Sequence, residues 1–272
     1  MPGKRSWVAR IVLFVFLVWS LFPIYWLLTT SFKAPTEVSK IPPRWLPQLD
    51  LSAYTTALAS PDLQASLLNS FVVALGATTI AVACGVLAGY ALGQLATTDT
   101  ARYEFWVLTS RMAPPIAVAL PFFLMFRVAG LQDTLVGVTL AHVVLVVGVV
   151  SWILIETFRG LPPALLESAL LDGCSYASAF RRVLLPLSMP GIVGAGSIAF
   201  LLSWNEFFLS LILTDVDART SPLALYQYVG FQSLDLGQLA AASCAVLVPT
   251  ALVVGFFQRQ LVTGLTMGAV KE

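Results

Sequence analysis

The sequence predicts an all-α membrane protein with six transmembrane helices and with both termini in the cytoplasm. The first observation is composition: 58% of the 272 residues are hydrophobic and only 11% are charged, whereas soluble domains usually carry about 25% charged residues. The second is that six apolar segments approach or exceed the roughly 20 residues that a helix needs to cross a bilayer. The third is an excess of Lys and Arg in alternate connections, which predicts the orientation.

The six predicted spans account for about half of the chain. They run from Ile11 to Leu28, Leu67 to Gly93, Phe105 to Phe126, Leu135 to Ile155, Gly191 to Leu213 and Leu239 to Phe257. Lys4 and Arg5 precede the first span, as basic residues do in a signal peptide, but the apolar run is long and no Ala-x-Ala cleavage site follows it. We therefore expect an uncleaved first span and a single membrane domain over residues 1–272.

The positive charges favour cytoplasmic termini. With both ends inside, nine Lys and Arg residues lie on the cytoplasmic side and five on the outer side. The nine are Lys4, Arg5, Arg10, Arg102, Arg159, Arg181, Arg182, Arg259 and Lys271; the five are Lys33, Lys40, Arg44, Arg127 and Arg219. The net charge of +1 argues against a nucleic-acid partner.

Two further patterns concern the outer loop and the second span. Residues 31–64 are rich in proline, which excludes a long regular helix, so we expect a folded cap in which Trp45 either packs or anchors at the membrane interface. Gly85 and Gly89 in the second span form a GxxxG pattern. This pattern allows two helix backbones to approach closely.

The connection of residues 158–190, between the fourth and fifth spans, is unusually rich in charged and helix-capping residues. Leu161-Pro162-Pro163 ends the fourth helix, because proline lacks an N–H and restricts the residue before it. Ala164 to Asp172 then predicts a short helix with an apolar stripe. Gly173 suits the left-handed residue that ends a helix.

A second short helix follows in the same connection. Ser175 can cap its N-terminus, the helix runs through Phe180 to Arg182, and Pro186 is expected to stop it. We therefore expect a helix-turn-helix in the cytoplasm. The alternative is an amphipathic hairpin at the membrane interface that only links two spans.

The residues of this connection resemble a known motif. Glu167-x-Ala169, then Gly173, then Val183-x-Leu185-Pro186 is similar to the EAA loop, which marks the permease subunits of binding-protein-dependent ABC importers; Ser168 and Val183 replace the usual alanine and isoleucine. Other parts resemble the carbohydrate-uptake branch and, at the end of the chain, the second permease of maltose-type importers: Asp172, Pro190, Asn69-Ser70, Trp204-Asn205-Glu206-Phe207 and the ending from Gly264 to Lys271.

The resemblance implies a coupling helix that seats in a cleft of a cytoplasmic ATPase. The residues that it assigns to ATPase coupling are Glu167, Ala169, Asp172, Gly173, Phe180, Leu185 and Pro186. Physically, the apolar stripe with acidic residues beside it would offer burial and charge pairing to a partner groove; the stripe consists of Leu165, Leu166, Ala169 and Leu170. The cytoplasmic tail, residues 261–272, is expected to contact the ATPase through Thr266, Met267 and Gly268.

The resemblance also implies the rest of the assembly. Its expected partners are a homologous second permease subunit, two cytoplasmic ATPase subunits and an extracytoplasmic solute-binding protein, in the inner membrane of a bacterium. The sequence has no GxxxxGK[ST] motif, so ATP and Mg²⁺ are expected on the partner subunits and no cofactor on this chain. A single histidine and three widely spaced cysteines give no metal-binding pattern.

Four polar residues are predicted inside the spans, where ionisable groups are costly. Asn205 and Glu206 either line the translocation path or fix helix–helix packing; packing is favoured, because the first permease of maltose-type systems supplies most sugar contacts. Arg111 either satisfies carbonyls freed by Pro114-Pro115 or pairs with an acid. His142 is either a hydrogen-bonded packing residue or a gate or proton relay.

These four residues leave one alternative function open. An ion-coupled secondary transporter of small polar solutes would explain intramembrane charges, but it leaves the EAA-like loop unexplained. A membrane-embedded enzyme is disfavoured by the absence of a nucleophile–base or metal-binding pattern. A sugar or oligosaccharide substrate is implied by the resemblance alone, and polyols, glycerol phosphates and amino sugars use similar permeases.

Overall fold

The computed structural model describes residues 3–95, 100–109, 114–229 and 235–266, and their regular secondary structure is helical. The helices are α1 (Gly3–Ser31), α2 (Pro35–Val38), α3 (Ser52–Ala59), α4 (Pro61–Gly93), α5 (Thr100–Thr109), α6 (Pro115–Val128), α7 (Leu135–Arg159), α8 (Pro163–Leu171), α9 (Tyr176–Ala179), α10 (Leu185–Trp204), α11 (Phe208–Leu213), α12 (Ser221–Ala224) and α13 (Leu236–Thr266). A π-helical turn (Phe180–Leu184) joins α9 to α10, and a 3-10 turn (Leu225–Tyr228) follows α12.

Five helices in the described part of the chain are long and apolar enough to cross a membrane, where the sequence predicted six. They are Trp7–Ser31, Pro61–Gly93, Leu135–Arg159, Tyr176–Trp204 and Leu236–Gln260. The third predicted span is instead divided: α5 ends at Thr109, and α6 begins at Pro115 after an extended Pro114. Consecutive prolines favour a new helix start over a continuing helix, because neither has an N–H for the helical ladder. Arg111 lies outside the described residues.

The fifth predicted span also differs from expectation at both ends. Pro186 does not stop the helix that Ser175 caps: the chain stays helical from Tyr176 through the π turn to Trp204. The N–H of Leu185 donates to the carbonyl of Phe180 in the π turn, so the hydrogen-bond pattern of the helix is already irregular directly before Pro186, which lacks an N–H. At the other end α10 stops at Trp204, so Glu206 lies between two helices and not inside one.

Residues 66–223 and the part of α13 from Pro249 onward form one compact unit, in which α7 lies at the core. One face of α7 packs against small side chains of α4 and α10; the buried members of this cluster are Ala81, Val146, Val150, Leu154, Ala195 and Ala199. An ion pair between Arg159 and Glu104 joins the end of α7 to α5. Most of α7 is therefore covered by protein, although its sequence is as apolar as that of a lipid-facing helix.

Glycines bring the backbones of α4 and α7 into contact. A Cβ placed on Gly89 would lie 2.8 Å from the carbonyl oxygen of Leu154, and one on Gly93 would lie 2.8 Å from that of Ile155. Such distances leave no room for a side chain. The close approach that Gly85 and Gly89 predicted is thus confirmed, and Gly93 extends it by one turn.

The second unit consists of residues 1–65 and 224–248. The predicted cap contains two short helices, α2 and α3, and is held by polar contacts: Tyr54 bonds Ser31 over 2.8 Å, and the Tyr25 hydroxyl donates to the Trp45 carbonyl over 2.7 Å. The Trp45 ring packs 5.7 Å from Trp26 while remaining more than half exposed. Trp45 therefore takes part in packing within this unit.

Asp133, between α6 and α7, organises a predicted outer loop of the first unit. It adopts a left-handed conformation with φ 52°, and its carboxylate accepts the four successive N–H groups of residues 215–218 at 3.0 to 3.1 Å. Partial burial raises the pKa of Asp133, but the four donors outweigh it and hold the pKa below its ordinary value. Asn69 holds the same loop by donating to the carbonyls of Asp217 and Arg219.

The glycine contact gives a stability prediction. We expect Gly89→Ala to lower the stability of the detergent-solubilised protein by about 1 to 3 kcal/mol, because the new methyl group overlaps the α7 backbone. Thermal unfolding measures the change. The matched control is Gly255→Ala in α13, where a Cβ meets nothing within 4 Å; equal effects of the two substitutions would contradict the packing shown here.

The Asp133 contact gives a pH prediction. Because its pKa is lower in the folded than in the unfolded chain, the carboxylate stabilises the fold above about pH 4, and this contribution is lost as the pH falls through the folded pKa. Asp133→Asn should therefore lower the unfolding temperature at pH 7, with a smaller difference from wild type at lower pH. The control is Asp217→Asn, in the same loop, whose side chain is exposed. It should change neither the unfolding temperature at pH 7 nor its dependence on pH. A loss of stability in Asp133→Asn that is the same at every pH would refute the argument.

Candidate functional site

The first candidate site is the hairpin segment, which we define as residues 161–184 between α7 and α10. Its first limb, α8, ends with Asp172 and then Gly173, whose φ is +85°. The N–H of Gly173 donates to Leu170 and that of Cys174 donates to Ala169, both over 3.0 Å. This is the Schellman arrangement, and the turn predicted at Gly173 is confirmed.

The second limb of the hairpin segment starts as predicted. The Ser175 hydroxyl accepts the N–H of Ser178 over 3.3 Å, and this cap opens α9. The following π turn contains Phe180, Arg181 and Arg182, and both arginines are exposed. The turn between α8 and α9 is thus capped on both sides, which satisfies N–H and C=O groups that a helix end leaves without an internal partner.

The apolar stripe of α8 faces the chain itself and not an external partner. Leu166 and Ala169 are buried against Phe158, Ala179 and Leu184, with Leu165 and Leu170 packed beside them. The expectation that this stripe offers burial to a partner groove is therefore wrong for Leu166 and Ala169, whereas Leu165 and Leu170 are half-buried. The physical reason is that α9 and the π turn fold back on α8 and cover these two side chains.

The opposite face of α8 remains open. Glu167, Ser168 and Asp172 are exposed, and Leu171 has 88% of its surface exposed. A bare leucine between two carboxylates can enter an apolar pocket with a basic rim. Among the other expected coupling residues, Phe180 and Leu185 are half-buried and Pro186 is exposed.

The second candidate site is a polar cluster at the break between α10 and α11, formed by His142, Ser203, Glu206 and Ser210. His142 is fully buried in α7; its Nδ1 lies 2.8 Å from the Ser203 hydroxyl, and its Nε2 lies 3.4 Å from Glu206. The hydroxyl of Ser210 approaches Nε2 at 3.5 Å. The structure thus brings together His142 and Glu206, which the sequence had not paired.

Glu206 also holds the break itself. Its two carboxylate oxygens accept the N–H of Leu209 at 2.9 and 3.0 Å, and one of them accepts that of Ser210 at 3.2 Å. These N–H groups belong to the first turn of a helix and have no partner inside it. Asn205 beside it is exposed, and its amide donates to the Leu201 carbonyl over 2.8 Å.

The remaining predicted site residues fall at or beyond the edge of the described chain. Arg111, Met267 and Gly268 lie outside the described residues, and Thr266 is the last residue of α13. Within the described ranges, no group of three or more His, Cys, Asp and Glu side chains is placed to hold a metal ion.

Sequence reasoning missed several residues on which the two sites depend. Ser203 and Ser210 complete the polar cluster, and Gln94 at the end of α4 donates its amide to the base of the hairpin segment. Small hydroxyl residues in apolar helices are common, so Ser203 and Ser210 carried no distinctive signal. Gln94 directly follows a long apolar run, which is the only sign of it in the sequence.

Comparison with known proteins identifies similar sequences along the whole chain. A sequence model of the family described as "Binding-protein-dependent transport system inner membrane component" matches residues 81–266. The sulfoquinovosyl glycerol transport system permease protein SmoH of Agrobacterium fabrum is 33% identical over 94% of this chain and 91% of its own. The diacetylchitobiose uptake system permease protein DasC of Streptomyces coelicolor is 30% identical over 98% of this chain and 97% of its own.

A solved structure shares the fold. It is one chain of a bacterial ABC transporter involved in the import of the acidic polysaccharide alginate, and it superposes with a TM-score of 0.77. The match covers 95% of this chain and 98% of the other at 19% identity. The two chains therefore share the same fold.

The polar cluster yields a double-mutant prediction. Glu206→Ala should destabilise the protein by about 1 to 3 kcal/mol, because it removes the carboxylate beside the buried His142 and the acceptor of two helix-start N–H groups. Its effect should be non-additive with that of His142→Ala by about 0.5 kcal/mol or more, since the two side chains are in contact.

Thermal unfolding of the single and double variants measures this coupling. Asn205→Ala is the control, because its exposed neighbouring side chain is outside the cluster and should change stability little. Strict additivity of His142→Ala and Glu206→Ala would show that the two side chains do not act together.

Proposed function

The chain belongs to the family of binding-protein-dependent transport system inner membrane components, and we propose that it forms half of the translocation pathway of an ATP-driven importer for a sugar or oligosaccharide. The observation that carries this proposal is the hairpin segment. It is a doubly capped element between two long apolar helices, and it leaves the face with Glu167, Leu171 and Asp172 open. Such a face is suited to docking a separate subunit.

The proposed topology has six crossings with both termini in the cytoplasm. Five crossings correspond to the long apolar helices, and α5 and α6 together would make the sixth, between α4 and α7. This topology puts the hairpin segment in the cytoplasm. It agrees with the exposed Arg181 and Arg182, because cytoplasmic connections carry more positive charge.

In the proposed coupling, the open face of α8 docks on a cytoplasmic ATPase subunit. Leu171 would fill an apolar pocket, and Glu167 and Asp172 would pair with basic residues at its rim. Ala169 would contribute by packing and not by contact with the ATPase, because its small side chain lets α8 lie close to Phe158. Phe180, Leu185 and Pro186 would join the hairpin segment to α10, so that a push on α8 moves that helix.

The rest of the assembly follows from this role. ATP and Mg²⁺ would bind to two ATPase subunits, since this chain has no GxxxxGK[ST] motif. A homologous permease would complete the pathway, and an extracytoplasmic solute-binding protein would deliver the substrate across the inner membrane of a bacterium. The tail residues Thr266, Met267 and Gly268 would reach the ATPase as well.

The carbohydrate substrate is supported by the relatives, two of which are named for a glycosylated glycerol and for a disaccharide. The comparisons support this reading over an ion-coupled secondary transporter. The geometry agrees with this reading. His142 and Glu206 contact each other and nearby groups, so Glu206 would stabilise the break between α10 and α11. Asn205, whose side chain is exposed, would be the polar residue of this segment that lines the translocation pathway.

The test is ATP-dependent uptake by the complete complex in proteoliposomes. The probe is a mixture of neutral and acidic di- and oligosaccharides, including diacetylchitobiose and sulfoquinovosyl glycerol, with the accumulated solute identified by mass spectrometry. Uptake that requires ATP and the binding protein is expected. Uptake that persists without ATP but collapses with the proton gradient would favour the secondary transporter instead.

The turn at Gly173 tests the coupling role within that assay. At φ +85° a β-branched residue is strongly strained whereas asparagine is tolerated, so Gly173→Val should lower uptake about tenfold or more and weaken ATPase binding, and Gly173→Asn should retain most of both. Gly160→Ala is the matched control, because Gly160 is already right-handed and a Cβ there meets only ordinary contacts. Full uptake by Gly173→Val with the ATPase bound would rule out the coupling role.

A further inference from the structure

One side-chain amide joins α4 to the base of the hairpin segment. The Nε2 of Gln94, the residue after α4, donates to the carbonyl of Phe158 over 2.5 Å and to that of Leu161 over 3.1 Å. Phe158 lies in the last turn of α7, and Leu161 directly precedes the prolines that start α8. The amide therefore spans the joint between a predicted transmembrane helix and the proposed coupling helix.

The two carbonyls of this joint differ in their other partners. The Phe158 carbonyl also accepts the N–H of Leu161 over 3.1 Å, whereas Leu161 is followed by Pro162 and Pro163, which have no N–H to offer. An amide NH₂ carries two donors, so Gln94 can bond both carbonyls at once and link them to the end of α4. A carboxylate or an alkyl group at position 94 has no donor for either carbonyl.

Gln94 is held in place by the contact between α4 and α7. Gly93, the preceding residue, lies so close to α7 that a Cβ would be 2.8 Å from the Ile155 carbonyl and 3.0 Å from the Arg159 N–H nitrogen. The N–H of Gln94 itself donates to Tyr90 over 3.1 Å. The amide thus reaches the joint from a backbone that has little room to move.

The same turn of α4 also contacts the second limb of the hairpin segment. The Tyr90 ring packs 4.8 Å from that of Phe180, and its hydroxyl donates to the Tyr176 carbonyl over 3.3 Å. Phe158 stacks on Phe180 at 6.2 Å and closes the aromatic group. Both limbs of the hairpin segment are therefore attached to the last turn of α4, one through Gln94 and the other through Tyr90.

We propose that Gln94 is a positioning residue that transmits movement of the coupling helix to α4 during transport. A displacement of α8 moves Leu161, and the hydrogen bond from the Gln94 amide transmits this movement to the end of α4. Because the glycines hold α4 and α7 in backbone contact, the two helices then move together. Loss of the amide lets the joint flex, so that ATP is hydrolysed without a matching movement of the bundle. This inference rests on the proposed function.

The experiment compares Gln94→Glu with Gln94→Lys in the reconstituted complex. Glu has the same shape as Gln but places acceptor oxygens against two carbonyls, whereas Lys changes the shape and keeps the donors. The measured quantity is solute transported per ATP hydrolysed in proteoliposomes with loaded binding protein, using the solute identified in the uptake assay above. Gln64→Glu is the matched control, since Gln64 also lies on α4 and donates its amide to a carbonyl, that of Leu58, over 2.6 Å.

The expected result is an uncoupled transporter. Gln94→Glu should lower the amount of solute transported per ATP about tenfold, which corresponds to about 1.4 kcal/mol, while the ATPase remains bound and active. Gln94→Lys should retain most of the solute transported per ATP. Gln64→Glu should match wild type. Gln94→Ala replaces Gln94→Glu if the latter does not insert.

Three results would overturn the inference. The first is a wild-type ratio of solute transported to ATP hydrolysed in Gln94→Glu. The second is loss of the assembled complex in both Gln94→Glu and Gln94→Ala, which would show a purely structural role, and the third is a fall in that ratio in Gln94→Lys as large as in Gln94→Glu. Failure of the proposed function is separate from all three, because it would appear as absence of ATP-dependent uptake in the wild-type complex.

Discussion

Direct contact between the backbones of α4 and α7 is the constraint on which the compact unit around α7 depends. Three glycines at four-residue intervals, Gly85, Gly89 and Gly93, remove the side chains that would keep the helices apart. Without a hydrophobic force between helices in lipid, close van der Waals packing of this kind is a main source of association. The contact continues to the end of α4, so it also brings Gln94 and Tyr90 to the hairpin segment.

The hairpin segment is shaped by short-range interactions. Proline starts α8, a left-handed Gly173 ends it, and Ser175 caps the next limb. The apolar stripe that would otherwise seek a partner is used to fix α8 on the bundle. The outward face leaves Leu171 and its acidic neighbours exposed, so packing on the bundle and the proposed docking use opposite faces of one short helix.

The break after α10 illustrates the opposite case, in which a polar residue in an apolar segment has a structural use. Ending a helix within a bundle exposes N–H and C=O groups that lipid cannot satisfy. Glu206 supplies acceptors to the start of α11, and His142 faces it from α7. The carboxylate predicted to lie inside a span instead allows the span to be interrupted there.

The sequence by itself determined the features that depend on a few neighbouring residues: the apolar segments, the end of α7 before Pro162, the Gly173 turn and the Ser175 cap. These follow from missing N–H groups, the lack of a Cβ and short-range hydrogen bonds, all within about five residues. Only the tertiary structure decided the direction of the α8 stripe and the pairing of His142 with Glu206. Each of these depends on which distant segment supplies the packing surface or the hydrogen-bond partner, and local patterns carry no information about that choice.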